Sequence, residues 1–397
     1  MAVTVGGAGF GQAAEIPGKY IVTLAPGARA DAVAARHGAG VDAVYTDAIH
    51  GFAGTVPEAR LRALQNDPEI VAVEPDVEVQ AFPRNVVVAG GDTPMLTVNG
   101  ETIPTGVARA GRSQQTDVSL VGVAVLDTGI SLSHPDLNVV SGVSYIRGNK
   151  SGNDDNGHGS HVAGTIAAKV NGAGVQGVAP NARLFAVKVL DRSGSGSLSA
   201  IIGGIDWVTR NAQSKGIQVA NMSLGFQGTS ASLNTALDNS VSAGVTYVVA
   251  AGNNGADSQY FSPANHPRVI TVSAIADSNG QCGGGGSATA YGADDTFASF
   301  SNWGLPVDIA APGVDILSTY KDGGYAYSSG TSMASPHVAG AAALFVAQNA
   351  GANPDIVKAG LLSAATPQGQ ACSADGRGGF TGDRDSTAEP LLHTGGL

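Results

Sequence analysis

One stretch of this 397-residue chain could carry a nucleophile: Gly330-Thr331-Ser332-Met333-Ala334-Ser335-Pro336-His337-Val338-Ala339-Gly340. Small residues lead into Ser332, and an alanine-rich apolar run over 338–350 follows it. The pattern predicts a buried helix with Ser332 at its mouth and Pro336 within about the first turn, where proline's missing N–H costs least. Free N–H groups and the positive end of the dipole gather at such a mouth and favour negative charge. A serine that adds to a carbonyl and creates an oxyanion beside itself needs that setting. The same residues also read as an ordinary Ser/Thr helix cap.

Three other residues supply what such a serine would require. Asp127 follows the apolar run Val121-Gly122-Val123-Ala124-Val125-Leu126 and opens Asp127-Thr128-Gly129. A carboxylate at a strand's end can orient an imidazole and stabilise it once charged, although a strand-end Asp is also a common helix cap. His158 sits in Asp154-Asp155-Asn156-Gly157-His158-Gly159-Ser160-His161-Val162-Ala163-Gly164-Thr165, between glycines that allow close approach. His158 and His161 stand at i,i+3, but no third ligand and no His-Glu-x-x-His pattern accompanies them, which argues against a metal pair. His161 reads as a packed structural histidine, and Asp154-Asp155 as a solvated turn rather than a cation site. Asn253, in Ala250-Ala251-Gly252-Asn253-Asn254-Gly255, can project its amide from a tight turn. It would then join the backbone N–H of Ser332 as an oxyanion donor, unless it only makes the turn.

The elements that must position these groups form two patterns. Over 16–82 the chain reads strand (19–24), helix (28–37), strand (41–45), strand (51–56), helix (57–66) and strand (70–74). That βαββαβ order is a ferredoxin-like α+β unit, too small to be comfortably stable alone. From Val121 the pattern changes to apolar strands at 121–126, 184–190, 218–222, 245–250 and 269–272. Helical stretches at 198–212 and 233–243 separate them. Near-continuous Val, Ile and Ala strands alternating with helices predict an α/β domain, a parallel sheet covered by helices on both faces. Function in such sheets gathers beyond the carboxyl ends of the strands, where Asp127, Ser223 and Asn253 all fall. Residues 83–100, with Gly90-Gly91-Asp92 and two prolines, read as a linker or processed arm. The expected division is 1–15, 16–82, 83–100 and 101–397, and a remnant of a secretory signal is one reading of the first segment.

Composition excludes some functions. A net charge of −11 argues against a nucleic-acid surface, which needs clustered Lys and Arg. No apolar run approaches the roughly 18 residues a membrane span requires. Only two cysteines occur, Cys282 and Cys372, so one disulfide or two free thiols are both open, and no metal-site spacing exists.

Taken in order, Asp-Thr-Gly, His-Gly-Ser-His-Val-Ala-Gly-Thr, Ala-Ala-Gly-Asn and Gly-Thr-Ser-Met-Ala-Ser-Pro-His-Val-Ala-Gly resemble the subtilisin-like serine proteases. The order Asp…His…Ser is that of subtilisin itself and comes from the resemblance, not from spacing. Similarity runs from about Glu101 nearly to the end. Residues 16–82 resemble that family's inhibitory, chaperone-like propeptide, through Pro17-Gly18-Lys19-Tyr20-Ile21-Val22 and Val73-Glu74-Pro75-Asp76.

The resemblance implies Ser332 as nucleophile, His158 as general base, Asp127 as its orienting acid and Asn253 as oxyanion-hole side chain. It implies that Gly194, Ser195 and Gly196, with Ser223, Leu224, Gly225, Ala250 and Gly252, border an extended groove where peptide pairs as an added strand. It also implies a structural Ca²⁺ held by the loop Lys169, Asn171, Ala173 and Val175, with Asp136 and Glu101 as carboxylate partners. Glu101 stands where glutamine is frequent, Ser160 where threonine is usual, and Phe226 where glycine often follows Leu-Gly. The expected protein is a secreted, monomeric endopeptidase precursor that acts on polypeptides and is inhibited by its own propeptide. Glu78-Val79-Gln80-Ala81-Phe82, a strand-like tail with apolar residues at alternate positions, is expected to lie in the groove as an added strand, with the maturation cut between about Gln80 and Thr93. A catalytically silent relative is the rival. A serine esterase of the α/β-hydrolase type fails, because Ser332 lacks Gly-x-Ser-x-Gly and its acid and base precede it.

Overall fold

Alternation in Tyr20-Ile21-Val22-Thr23-Leu24 turns successive side chains to opposite faces of the first strand. Val22 and Leu24 join Val33, Phe52 and Leu64 in a small core of their own, whereas Ile21 packs into a different cluster with Tyr45, Ile49, Ala53 and Val79. In this computed structural model, which describes residues 12–81, 84–88, 97–98, 100–111, 116–395 and 397, the front of the chain is a single α+β unit. Its elements are β1 (Glu15–Leu24), α1 (Ala30–His37), β2 (Gly40–Tyr45), β3 (Gly51–Thr55), α2 (Glu58–Gln65) and β4 (Ile70–Ala81). The antiparallel order β4-β1-β3-β2 is the expected ferredoxin-like arrangement. Gly38 ends α1 with φ +64°, a backbone only glycine adopts at little cost.

The final strand does not stop at Glu74 but runs on without a break through the alternating tail expected after it. It continues seven residues past Glu74 to Ala81, because Val79 and its neighbours find a second partner in the larger domain. Residues 83–100, expected as a linker or processed arm, carry two short strands among their described residues. They hold β5 (Arg84–Val88) and β6 (Thr97–Val98), the latter paired with β7 (Glu101–Thr102) ahead of α3 (Thr105–Arg109). Residues 1–11 and half of the expected cleavage window, Phe82 included, lie outside the described residues.

The larger domain runs through β8 (Gly122–Asp127), β9 (Val139–Ser144), α4 (His158–Ala167), β10 (Arg183–Lys188), β11 (Ser195–Ser197) and α5 (Leu198–Lys215). It continues with β12 (Ile217–Met222), β13 (Leu224–Gln227), α6 (Ala231–Ser242), β14 (Thr246–Ala250), β15 (Phe261–Ser262) and β16 (Ile270–Ala276). It closes with β17 (Thr296–Phe297), β18 (Ile309–Pro312), β19 (Ile316–Thr319), β20 (Tyr325–Ser329), α7 (Thr331–Gln348) and α8 (Pro354–Ala364). The central sheet is ordered β17-β16-β14-β12-β8-β10-β9, with β18 beside β16, and only β16–β17 is antiparallel. Val123 and Val125 face a core shared with α4 and α7, while Ala124 and Leu126 face one shared with α5 and α6. The sheet is thus covered on both sides, which is why its strands read as unbroken apolar runs.

Pro336 corrects one expectation. It is the sixth residue of α7, not a first-turn residue. A proline there leaves the carbonyl four residues back, that of Ser332, without its helical donor. The Ser223 hydroxyl donates to that carbonyl at 2.9 Å instead. Cys282 and Cys372 are disulfide-bonded, with Cα atoms 5.4 Å apart, closing the question the sequence left open. Among the described residues no helix is long and apolar enough to cross a membrane.

Candidate active site

The chemistry gathers at the carboxyl ends of β8, β12 and β14. Asp127 is the last residue of β8, and His158 is the first of α4. His158 Nδ1 and Asp127 Oδ1 lie 2.7 Å apart, both side chains being almost wholly buried. The backbone N–H of Thr128 donates to the same carboxylate oxygen at 2.6 Å. The glycine after the histidine makes the approach possible: a Cβ at Gly159 would collide with the Gly129 carbonyl and lie 3.1 Å from Asp127 Cβ. His161 is buried and bonds the carbonyls of Ile316 and Ala326 at 2.9 and 3.0 Å. Burial holds its pKa down at about 3, so it is a neutral packing residue.

Asp154 overturns the reading of a solvated turn. It is buried, and its carboxylate accepts hydrogen bonds from Thr128 Oγ1, Asn156 N–H, Gly157 N–H, Ser160 N–H and Ser160 Oγ at 2.6–2.9 Å. It therefore ties the turn after Asp127 to the first turn of the His158 helix. The legible signal was a carboxylate four residues before a helix start. Asp155 instead pairs with the buried Lys188 at 2.7 Å.

Ser332 is the second residue of α7 and fully buried. Its hydroxyl donates to the Ser223 carbonyl at 3.1 Å, and His158 Nε2 is buried without a hydrogen-bond partner among the described residues. Thr331 and Asn253 are joined next door: Asn253 Oδ1 accepts from Thr331 N–H and Oγ1, each at 2.9 Å. Gly252 N–H donates to Thr331 Oγ1 at 3.1 Å, so the whole turn after Ala250, the last residue of β14, abuts the start of α7.

A strand of the chain itself occupies the neighbouring groove. The end of β4 pairs antiparallel with β11 on one side, Ser195 opposite Gln80 and Gly196 opposite Val79. On the other side it pairs with β13, Leu224 opposite Ala81 and Gly225 opposite Gln80. Ala81 N–H also donates to the Gly194 carbonyl at 2.9 Å. Gly194 to Gly196 on one side and Leu224 and Gly225 on the other thus flank one bound strand, and Ser223, whose carbonyl accepts from Ser332, directly precedes that second wall.

Two family models match the chain. One described as the subtilase family matches residues 119–381, and one described as peptidase inhibitor I9 matches residues 19–82. The chain belongs to the subtilase family. It is 44% identical over 291 residues to an alkaline protease of Alkalihalobacillus alcalophilus, a match spanning 72% of this chain and 66% of that protein. Subtilisin Savinase of Lederbergia lenta is 47% identical over 253 residues, 63% of this chain and 86% of that one. An extracellular serine proteinase of a Thermus species (strain Rt41A) is 42% identical over 335 residues, 83% of this chain and 74% of that one. Among solved structures, a cold adapted subtilisin-like serine proteinase is 37% identical, with a TM-score of 0.59 and coverage of 73% of this chain and 97% of that one.

In this subtilase three acidic residues that sequence reasoning missed hold the I9 domain down. Glu74 accepts from Ser230 Oγ and Ser232 N–H at the start of α6, and Asp76 from Ser199 N–H at the start of α5. Both meet helix N-termini, where a carboxylate gains from unpaired N–H groups and the dipole. Asp206 on α5 reciprocates, accepting from the N–H groups of Thr46, Asp47 and Ala48 at 2.7–3.0 Å. Glu74 and Asp76 stood in the Val73-Glu74-Pro75-Asp76 motif, but their partners lie more than a hundred residues away, so the motif did not announce these contacts.

The cation-loop residues also come together. Asp136 accepts from Asn171 Nδ2 and Val175 N–H, each at 3.0 Å, and Glu101 Oε1 accepts from the N–H groups of Asn171 and Gly172. Ala173 N–H donates to Asn171 Oδ1, and Lys169 N–H to the Asp136 carbonyl. The Lys169 ammonium turns away to the Pro135 carbonyl. Glu101 Oε2 is buried with no hydrogen-bond partner among the described residues. Burial, with the charge of Glu101 adding to it, pushes Asp136 up to about 6. Two buried carboxylates beside one loop, one oxygen orphaned, fit a hard cation with oxygen ligands. Among the described residues no three His, Cys, Asp or Glu side chains cluster as a metal site, so any such cation would lean on amide and carbonyl oxygens.

Proposed function

We propose that the chain is a secreted serine endopeptidase made as a self-processed, inhibited precursor. The observation that carries this reading is the buried Asp127–His158 pair at the carboxyl end of β8, together with a strand-filled groove whose wall, through the Ser223 carbonyl, holds the Ser332 hydroxyl. In the reaction Ser332 turns its hydroxyl from the Ser223 carbonyl to His158 Nε2, gives up its proton there and adds to the scissile carbonyl. Asp127 keeps the Nδ1 proton in place and stabilises the imidazolium. The Ser332 N–H and the Asn253 amide receive the oxyanion. Collapse breaks the C–N bond as His158 protonates the leaving amine. Water, deprotonated by the same imidazole, then releases the acid.

Substrate binds as an extended strand between β11 and β13, where β4 now lies, so selection rests largely on backbone pairing and extends to many polypeptides. The same seating supports the I9 domain as an intramolecular inhibitor. The disulfide supports an oxidising, extracellular compartment. A fluorophosphonate probe, followed by peptide mapping, should label Ser332 in the matured protein, which should also hydrolyse casein. An unlabelled, casein-inert protein would favour the silent alternative.

Calcium is the cation proposed at the loop, held by Glu101, Asp136, Asn171 and the carbonyls of Lys169, Ala173 and Val175. When bound it supplies stability and takes no part in the chemistry. Chelation should therefore lower Tm, since an ion bound only by the folded state adds stability by mass action, about 2.7 kcal/mol at a hundredfold excess over Kd. Asp136→Ala should abolish most of that sensitivity in a thermal melt. An unmoved wild-type Tm on chelation would show that no ion binds there.

A further inference from the structure

Lys188 is a fully buried lysine that the reaction as described does not use. It is the last residue of β10, and its register partner on β8 is Asp127. Val123 and Val125 of β8, with Leu184 and Ala186 of β10, face the core shared with α4 and α7. Alternation turns Asp127 and Lys188 to that same face, side by side on strands about 4.8 Å apart. Lys188 Nζ donates to the Thr128 carbonyl at 2.6 Å, to Asp155 Oδ1 at 2.7 Å and to the Leu190 carbonyl at 2.8 Å. An ammonium has three N–H donors and a neutral amine only two, so these contacts use the charged form in full.

Each acceptor belongs to a different segment of the site. Thr128 follows Asp127. Its N–H donates to the Asp127 carboxylate at 2.6 Å, and its hydroxyl donates to Asp154 and accepts from the Gly159 N–H, each at 2.9 Å. Asp155 lies three residues before His158. Leu190 opens the turn in which the Asp191 N–H donates to the Ser195 carbonyl, at the root of the β11 wall. Ion pairing alone does not account for Lys188. Asp155 is half-exposed, and the other two acceptors are backbone carbonyls of buried residues, which an apolar side chain would strand.

We propose that Lys188 is a positioning residue for the Asp127–His158 pair, one cation that locks together the turn after Asp127, the loop before His158 and the root of the β11 wall. This rests on the peptidase reading. The same ammonium is a fixed positive charge beside Asp127, and it opposes formation of the His158 imidazolium. Among the described residues, the other ionisable side chains on elements packed against α4 include Asp127, Asp154 and Asp155, and Lys321 and Asp322 in the turn before β20. His161 and His337 are held neutral by burial, and burial also raises Tyr320.

The test uses the purified full chain, matured where a variant is slow by a trace of tagged wild-type enzyme that is then removed. Fluorophosphonate titration counts active sites, so misfolded protein does not enter kcat. Lys188→Met keeps the stem and removes the ammonium. Its kcat should fall roughly ten- to a hundredfold, the scale of a slight misplacement of catalytic groups, with KM within about threefold. The acidic limb of its kcat/KM profile should move up by about one pH unit, because a nearby positive charge is gone. Asp155→Ala cuts one arm of the lock at a half-exposed residue that the fold tolerates, and should lower kcat about tenfold. Asp155→Asn keeps the acceptor and should recover most of that kcat, while its acidic limb moves down, by less than about one unit because solvent screens the site. Wild-type kcat in Lys188→Met, or a loss equal at every pH with the limb unmoved, overturns the proposal. If Lys188→Met does not fold, equal kcat in Asp155→Ala and Asp155→Asn overturns it. A wild-type chain that neither reacts with a fluorophosphonate nor cleaves a peptide overturns the peptidase reading instead.

Discussion

Ser332→Ala loses turnover by roughly 10⁶-fold and accumulates as an uncut chain with residues 1–82 attached; the magnitude is the one known for subtilisin's own catalytic serine. The direction follows from the site. The Ser332 hydroxyl donates to the Ser223 carbonyl at 3.1 Å, and among the described residues His158 Nε2 has no hydrogen-bond partner. Removing one oxygen from a helix start otherwise packed by Met333 and Ala334 costs little stability, so Tm should hold to within a few degrees. The Asp127–His158 hydrogen bond is untouched, which leaves the pair in place with nothing to activate. Turnover of a quenched peptide and intact mass of the purified variant read the two effects separately. Substantial peptidase activity, or normal maturation in isolation, would remove Ser332 from the role of nucleophile.

Asn253→Ala should lower kcat by roughly 10²–10³-fold with little change in KM, again a magnitude borrowed from subtilisin's own oxyanion asparagine. A donor used mainly when the carbonyl oxygen becomes negative acts on the transition state more than on binding. Here the side chain has a second job. Its Oδ1 is the acceptor for both the N–H and hydroxyl of buried Thr331, so truncation also strands those donors at a cost of about 1–3 kcal/mol. Asn253→Asp separates the two, since it keeps the acceptor and loses the amide donor. The expected result is near-native Tm with kcat as low as in the alanine variant. If Asn253→Asp retained full kcat, the residue would be an anchor for Thr331 and nothing more.

Much of this was legible in the chain. Apolar runs such as Val121 to Leu126 marked the buried parallel strands because both faces are covered, and period-two alternation at Tyr20 to Leu24 marked a strand with two different environments. Asp127, His158, Asn253 and Ser332 each stood in a short motif, because each needs local backbone help: a strand end, flanking glycine, a tight turn or a helix mouth. Local help is written in neighbouring residues.

What only the tertiary structure decided depends on groups far apart in sequence. Pro336 sits deep in its helix because Ser223, over a hundred residues away, satisfies the carbonyl it leaves free. Asp154 looked solvent-facing beside another aspartate, yet five donors from two elements bury it. Cys282 and Cys372 were two thiols until packing across 90 residues brought their Cα atoms to 5.4 Å. Residues 84–88 carried no core pattern because their pairing with β20 uses backbone atoms, which every residue type supplies alike. Side-chain periodicity can specify which face of an element is buried; it cannot specify which distant backbone edge or carboxylate completes it.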